Sequence, residues 1–127
     1  WIARAQEDDF KQIVIDTAER SYSPERLKRY RRLYPIVTKI GKPKDFSRFI
    51  IQARACLAHD AYDRLAEISC PTLVIGGGQD AIVGREAANE IAERIPGARL
   101  LVYERLSHSA YEEAKDFQDR IIAFLKK

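Results

Sequence analysis

The chain of 127 residues contains no methionine, and it opens on Trp1. A natural chain starts at Met, or at a small residue uncovered when Met is trimmed, so the expectation is a fragment or processed piece of a longer protein. Cysteine is scarce. Cys56 and Cys70 have neither metal-site spacing nor the even, clustered pattern of a disulfide framework, which reads as two reduced thiols in a cytosolic protein. No apolar run approaches the roughly 18 residues of a membrane span, and no signal-peptide pattern is present. The expectation is therefore a cytoplasmic protein with no membrane partner. The sequence also lacks any G-x-S-x-G, and no cysteine or aspartate stands in an equivalent strand-to-helix elbow.

What is present is ordinary in amount and uneven in placement. Hydrophobic residues make up 46% and charged residues 32%, as in a soluble globular domain with a modest core. The net charge of +3 conceals a basic stretch from Arg20 to Arg54 that includes Arg26, Lys28, Arg29, Arg31, Arg32, Lys39, Lys42, Lys44 and Arg48. Clustered Lys and Arg are what phosphate neutralisation needs. The stretch carries no nucleic-acid motif and its tyrosines fall at helical spacing, so it reads as a solvated helix face. No nucleic-acid partner is expected.

Phe10, Ile13, Val14 and Ala18 recur at helical spacing and predict a helix over residues 7–20. Ser23 can cap a second helix, with Pro24 at its first position and Glu25 in its first turn. Leu27, Tyr30 and Tyr34 share one face of it, and Pro35 is expected to interrupt it. Gly41-Lys42-Pro43 reads as a loop. A third helix is predicted from Asp45 to about Ala58, with Phe46, Phe49, Ile50, Ala53 and Leu57 as a core or contact stripe. Lone His59 reads as solvated or structural, and residues 61–68 as a short helical piece. From residue 69 the pattern becomes strand (72–75), helix (about 85–95), strand (99–103), loop and helix (115–125). Ala87, Ala88, Ile91 and Ile95 are the expected core of the first of these helices. Those of the last are Ala114, Phe117, Ile121, Phe124 and Leu125. Strand, helix and strand of these lengths form a βαβ unit with parallel strands.

The run Cys70-Pro71-Thr72-Leu73-Val74-Ile75-Gly76-Gly77-Gly78-Gln79-Asp80 is the focus of the chain. An apolar strand breaks on three glycines and presents one carboxylate. Side chains just past a strand's carboxyl end tend to face the ligand crevice in α/β proteins. One reading is dinucleotide binding. Gly76-Gly77-Gly78-Gln79-Asp80-Ala81 satisfies G-x-G-x-x-[GA], and Glu104 ends the next strand, where an acid would hold a ribose. Asp80 weighs against it, because a negative charge would meet the pyrophosphate at the helix N-terminus. Gly84 also suits a helix that starts several residues too late for that fingerprint. The other reading makes Asp80 a catalytic acid. His108 follows the next strand, in Leu106-Ser107-His108-Ser109-Ala110-Tyr111-Glu112-Glu113. Loops past two neighbouring parallel strands can bring an aspartate and a histidine together, as a Ser-His-Asp system requires.

The stretch from Pro71 to Val83 resembles the acid-bearing strand and loop of the α/β-hydrolase superfamily. Ile95-Pro96-Gly97-Ala98-Arg99-Leu100 is similar to its next helix end and strand start. Ser107 to Glu113, with Phe117 and Phe124-Leu125 beyond, is similar to its histidine loop and final helix. The resemblance covers residues 65–127. Ser107 stands where that family usually has Gly, which is tolerable if the backbone keeps a negative φ. Gly84 stands where Pro is frequent.

The resemblance implies an α/β fold: a helical cap segment (residues 1–68) followed by a βαβα portion of the parallel sheet (residues 69–127). It implies an esterase-like hydrolase whose nucleophile and oxyanion hole lie upstream of residue 1, with His108 as base and then acid and Asp80 orienting it. It further implies a small-molecule ester substrate and no cofactor. The chain alone would be inactive, and would self-associate or bind the missing N-terminal half. Glu113, and less so Glu112, would support the histidine loop. Tyr30, Tyr34, Phe46 and Phe49 read as core rather than pocket. A non-catalytic module that meets an acidic partner through the basic helices is the remaining alternative.

Overall fold

The computed structural model describes residues 1–126. Helices fill the first half and a βαβα unit the second. An unforeseen short helix, α1 (Ile2–Gln6), precedes α2 (Phe10–Ser21). The break between them falls at Asp8, which takes a left-handed φ of 58°. The Asp9 side chain then caps α2 by accepting from the Gln12 amide at 3.1 Å. That cap is why α2 begins later than residue 7.

Ser23 and Pro24 start α3 (Pro24–Tyr30) as the sequence suggests, with Ser23 Oγ accepting from the Arg26 amide. Pro35 differs from expectation. It does not interrupt a helix but lies in the first turn of α4 (Tyr34–Val37), where its missing N–H leaves no bond unmade. A 3₁₀ turn, Arg31–Leu33, joins α3 to α4. Helix α5 (Ser47–Ala58) starts after Asp45, whose side chain accepts from the Ser47 amide. Its apolar stripe is only partly used: Phe46 is buried and Phe49 and Ile50 pack beside Ala5 and Ile13, but Leu57 is 80% exposed. Only the start of α5 meets this cluster, so among the described residues its last turn is left uncovered. Residues 62–67 form a 3₁₀ helix.

Strands β1 (Leu73–Gly77) and β2 (Arg99–Tyr103) pair in parallel, in register from Leu73 with Arg99 to Gly77 with Tyr103. Helix α6 (Ala87–Arg94) connects them, starting after Gly84, which takes a φ of +97°. Helices α7 (Ala110–Glu113) and α8 (Phe117–Leu125) complete the chain. Of the expected core positions in the second half, Ile95 is buried. Ala87, Ala88, Ala114, Phe117, Ile121 and Phe124 are half-buried, while Ile91 and Leu125 are exposed. A two-stranded sheet offers these helices too little surface to cover them. Among the described residues no helix is long and apolar enough to cross a membrane.

Candidate active site

The glycines at the end of β1 act by letting two loops meet. A Cβ on Gly77 would lie 2.2 Å from the Ser107 carbonyl oxygen and 2.7 Å from that of Leu106. One on Gly78 would lie 2.8 Å from the Cα of Glu104. With no side chain in the way, the Gly78 amide donates to the Tyr103 carbonyl at 3.0 Å and the Gln79 amide to that of Leu106 at 2.9 Å. These bonds fasten the loop after β1 to the loop after β2, and so bring Asp80 beside His108.

His108 Nδ1 is 2.9 Å from Asp80 Oδ2. The other carboxylate oxygen accepts from the amides of Ile82 (2.8 Å) and Val83 (3.1 Å). Asp80's side chain is 8% exposed and that of His108 40%. Burial works to raise the Asp80 pKa, but the bonds from His108, Ile82 and Val83 together outweigh it and hold the carboxyl below its ordinary value. An ionised Asp80 can only accept, so Nδ1 carries a proton, and in the neutral ring it is Nε2 that keeps the lone pair. Nε2 has no hydrogen-bonding partner among the described residues.

The same geometry disposes of the dinucleotide reading. The Gly78 and Gln79 amides of that fingerprint are taken by the carbonyls of Tyr103 and Leu106, those of Ile82 and Val83 by the Asp80 side chain, and α6 begins only at Ala87. Among the described residues there is no group of three or more His, Cys, Asp or Glu that could hold a metal.

Ser107 keeps a negative φ, because among the described residues Asp8 is the one non-glycine in the left-handed region. Its hydroxyl plays a part that no local sequence signal announces. Oγ lies 2.7 Å from the Arg20 carbonyl and 2.9 Å from that of Gln79, sharing its proton between them. Glu113 takes both donors of Ser23, the amide at 2.9 Å and Oγ at 2.5 Å. Glu112 accepts from the Tyr22 hydroxyl at 2.9 Å, and Tyr22 stacks on Tyr30.

His108 borders two cavities. One, of about 590 Å³, lies against α2 and is also lined by Val14, Tyr30, Tyr34, Ile82 and Tyr111. The other, of about 210 Å³, lies against β1 and α6. Tyr30 and Tyr34, expected in the core, therefore line a cavity that His108 shares. Phe46 and Phe49 are the pair that pack in the core.

The sequence model of the TAP-like protein family matches residues 55–127. The chain belongs to this family of α/β-hydrolases. Residues of this α/β-hydrolase are 37% identical, over 67 positions, to a 2-hydroxy-6-oxononadienedioate/2-hydroxy-6-oxononatrienedioate hydrolase of Cupriavidus pinatubonensis, a match that spans 52% of this chain and 23% of the relative. Over 80 positions they are 29% identical to a pimeloyl-[acyl-carrier protein] methyl ester esterase of Neisseria meningitidis, spanning 63% of this chain and 30% of that protein. The enol-lactonase of Burkholderia xenovorans LB400 superposes with a TM-score of 0.83 at 21% identity, covering 99% of this chain and 48% of that one. An α/β-hydrolase, MGS-M2, from a deep-sea metagenome superposes with a TM-score of 0.82 at 22% identity, covering 100% and 48%. At such identities the superpositions speak for the fold alone. This α/β-hydrolase chain spans about half the length of the solved structures it matches.

Proposed function

We propose that this chain is the acid- and histidine-bearing half of a serine-dependent hydrolase acting on carboxylic esters, with residues 1–68 as a cap over residues 69–127 of the core. One observation carries the proposal: Nδ1 of His108 is 2.9 Å from Asp80 Oδ2, at the ends of neighbouring parallel strands. An ionised aspartate in that place fixes the imidazole tautomer and stabilises the imidazolium that forms. A serine N-terminal to Trp1 supplies the nucleophile, in keeping with the fold's chain order of nucleophile, acid and histidine. As its Oγ bonds to the ester carbonyl carbon, its proton passes to Nε2 of His108. The imidazolium then protonates the leaving alcohol oxygen as the C–O bond breaks. Water repeats the sequence on the acyl-enzyme. Backbone amides of the same N-terminal half form the oxyanion hole.

Ester chemistry is favoured by the relative named as a methyl ester esterase. The reaction draws on no metal or organic cofactor. A cytoplasmic location accords with the two free, exposed cysteines. The chain alone holds two of the three catalytic groups and is inactive; the nucleophile-bearing half docks along the open edge of β1.

The test is to express this chain joined to the segment encoded before it and assay nitrophenyl esters. Turnover by the joined protein, loss of it in His108→Ala, and none by the chain alone are expected. Turnover by the chain alone, or a joined His108→Ala protein at full rate, would overturn the proposal.

A further inference from the structure

We infer that the turn between α2 and α3 fixes the position of His108, with Glu113 as the positioning residue through which it does so. This inference rests on the proposed catalytic role of His108. The two stretches stand about ninety residues apart in sequence, as the Ser23–Glu113 bonds show. Bonds from the last residues of α2, where the turn begins, reach both neighbours of the histidine: the Ser109 amide donates to the Ser21 carbonyl at 2.8 Å, and Ser107 Oγ donates to the Arg20 carbonyl at 2.7 Å. Glu113 closes the clasp on Ser23. Ser21, Ser23, Ser107 and Ser109 are 5%, 2%, 4% and 4% exposed, so water cannot stand in for a broken partner.

Ser23 serves two structures at once. Its Oγ donates to Glu113 and accepts from the Arg26 amide that opens α3. Helix α3 ends on Tyr30, and Tyr30 and Tyr34 line the larger cavity beside His108. The turn that holds the histidine is thus continuous with the helix whose end lines that cavity. A misplacement of about 1 Å at a catalytic group costs on the order of 10²-fold in rate, so the clasp acts on turnover rather than on binding. Glu112 differs: its bond to Tyr22 is exposed, and its loss is replaced by water.

The test compares Glu113→Ala, Ser23→Ala, Glu113→Gln and Asp80→Asn, in the joined protein for kinetics and in this chain for the ring ¹⁵N shifts of His108, which report its tautomer. Glu113→Ala and Ser23→Ala should lower kcat roughly 10- to 100-fold with KM within about twofold, and mix the tautomers. Glu113→Gln should recover most of the loss, because its amide oxygen accepts from the Ser23 amide and its NH₂ meets Oγ. If circular dichroism shows that Glu113→Ala unfolds, Ser23→Ala decides, since it keeps the amide bond to Glu113. Unchanged kcat and tautomer in the folded variants, with both altered in Asp80→Asn, would overturn the clasp alone. If Asp80→Asn altered neither, the reading of His108 itself would fail, and the clasp with it.

Discussion

Asp80 holds His108 with one oxygen and its own loop with the other. Oδ2 is 2.9 Å from Nδ1, while Oδ1 accepts from the Ile82 and Val83 amides. With both oxygens engaged the carboxylate cannot rotate, so it offers the imidazole one direction only. An asparagine at position 80 keeps the shape but can present an NH₂ to Nδ1, which then must accept and leave Nε2 protonated. Asp80→Asn in the joined protein should therefore lower kcat by roughly 10⁴-fold. A rate near that of the unaltered enzyme would mean that another acid orients the histidine.

Acid should find the same residue. Asp80 titrates below its ordinary value in the folded chain, so between the two values the unfolded chain binds more protons. Its stabilising contribution is complete above the ordinary carboxylate pKa and is lost as pH falls through the folded one. Urea-unfolding midpoints measured from about pH 5 down to about pH 2 should fall less steeply in Asp80→Asn than in the unaltered chain. Parallel slopes would show that other carboxylates account for the acid sensitivity.

Much of this pairing was legible in the sequence because strand ends are local signals. Leu73 to Ile75 stopped by glycine, and Arg99 to Tyr103 stopped by a polar loop, place residues 80 and 108 at matching ends of two strands once the crossover is parallel. Two features of the first half misled. Pro35 looked like a helix terminator, but a proline is equally at home in a first turn, and the 3₁₀ turn before it is too short to leave a periodic trace. The stripe on α5 looked continuous because periodicity shows which face is apolar, not how far along the helix a neighbour extends. The clasp of Ser23 and Glu113 was out of reach. Each residue had a sufficient local reading, as a cap and as a loop support, and nothing in either pointed across the chain.

Gly77, which ends β1, and Gly84, before α6, should respond differently to alanine. At Gly77 the added carbon would meet backbone oxygens of Leu106 and Ser107, which cannot move without parting the two loops. At Gly84 there is open space around the added carbon, and the cost is the φ of +97° alone. Gly84→Ala should cost about 1–2 kcal/mol in denaturant unfolding. Gly77→Ala should cost more, at or above about 3 kcal/mol, and in the joined protein should also abolish turnover. Equal costs at the two sites would mean that the loops are not held as closely as their hydrogen bonds imply.

Base should weaken the helical first half. Burial, and then the Glu19 carboxylate 3.0 Å from its hydroxyl, push the Tyr34 pKa up to about 12. Its unfolded value is about 10, so between these limits the folded chain holds a proton that the unfolded chain has released, and stability falls as pH rises. Tyr34→Phe should flatten that decline in unfolding experiments over the same range. Tyrosinate absorbance should show one late-titrating group fewer in the variant, the raised hydroxyls of Tyr22 and Tyr103 remaining; an unchanged number would mean that Tyr34 is not among the late groups.

The open edge of β1 sets the last expectation. The sheet has two strands, so one side of β1 keeps backbone donors and acceptors without a ladder. Apolar surface lies open elsewhere too: Leu57, Leu125 and Ile40 are 80%, 73% and 66% exposed, and among the described residues no large side chain is fully buried. An unpaired edge together with uncovered apolar faces is the combination that drives strand addition between chains. Light scattering on the purified chain should show association that grows with concentration. Co-expression with the segment encoded before it should replace that association with a one-to-one complex in which the β1 amides exchange slowly. A compact monomer with slowly exchanging β1 amides by itself would argue that this edge is already satisfied, and that the second half docks elsewhere.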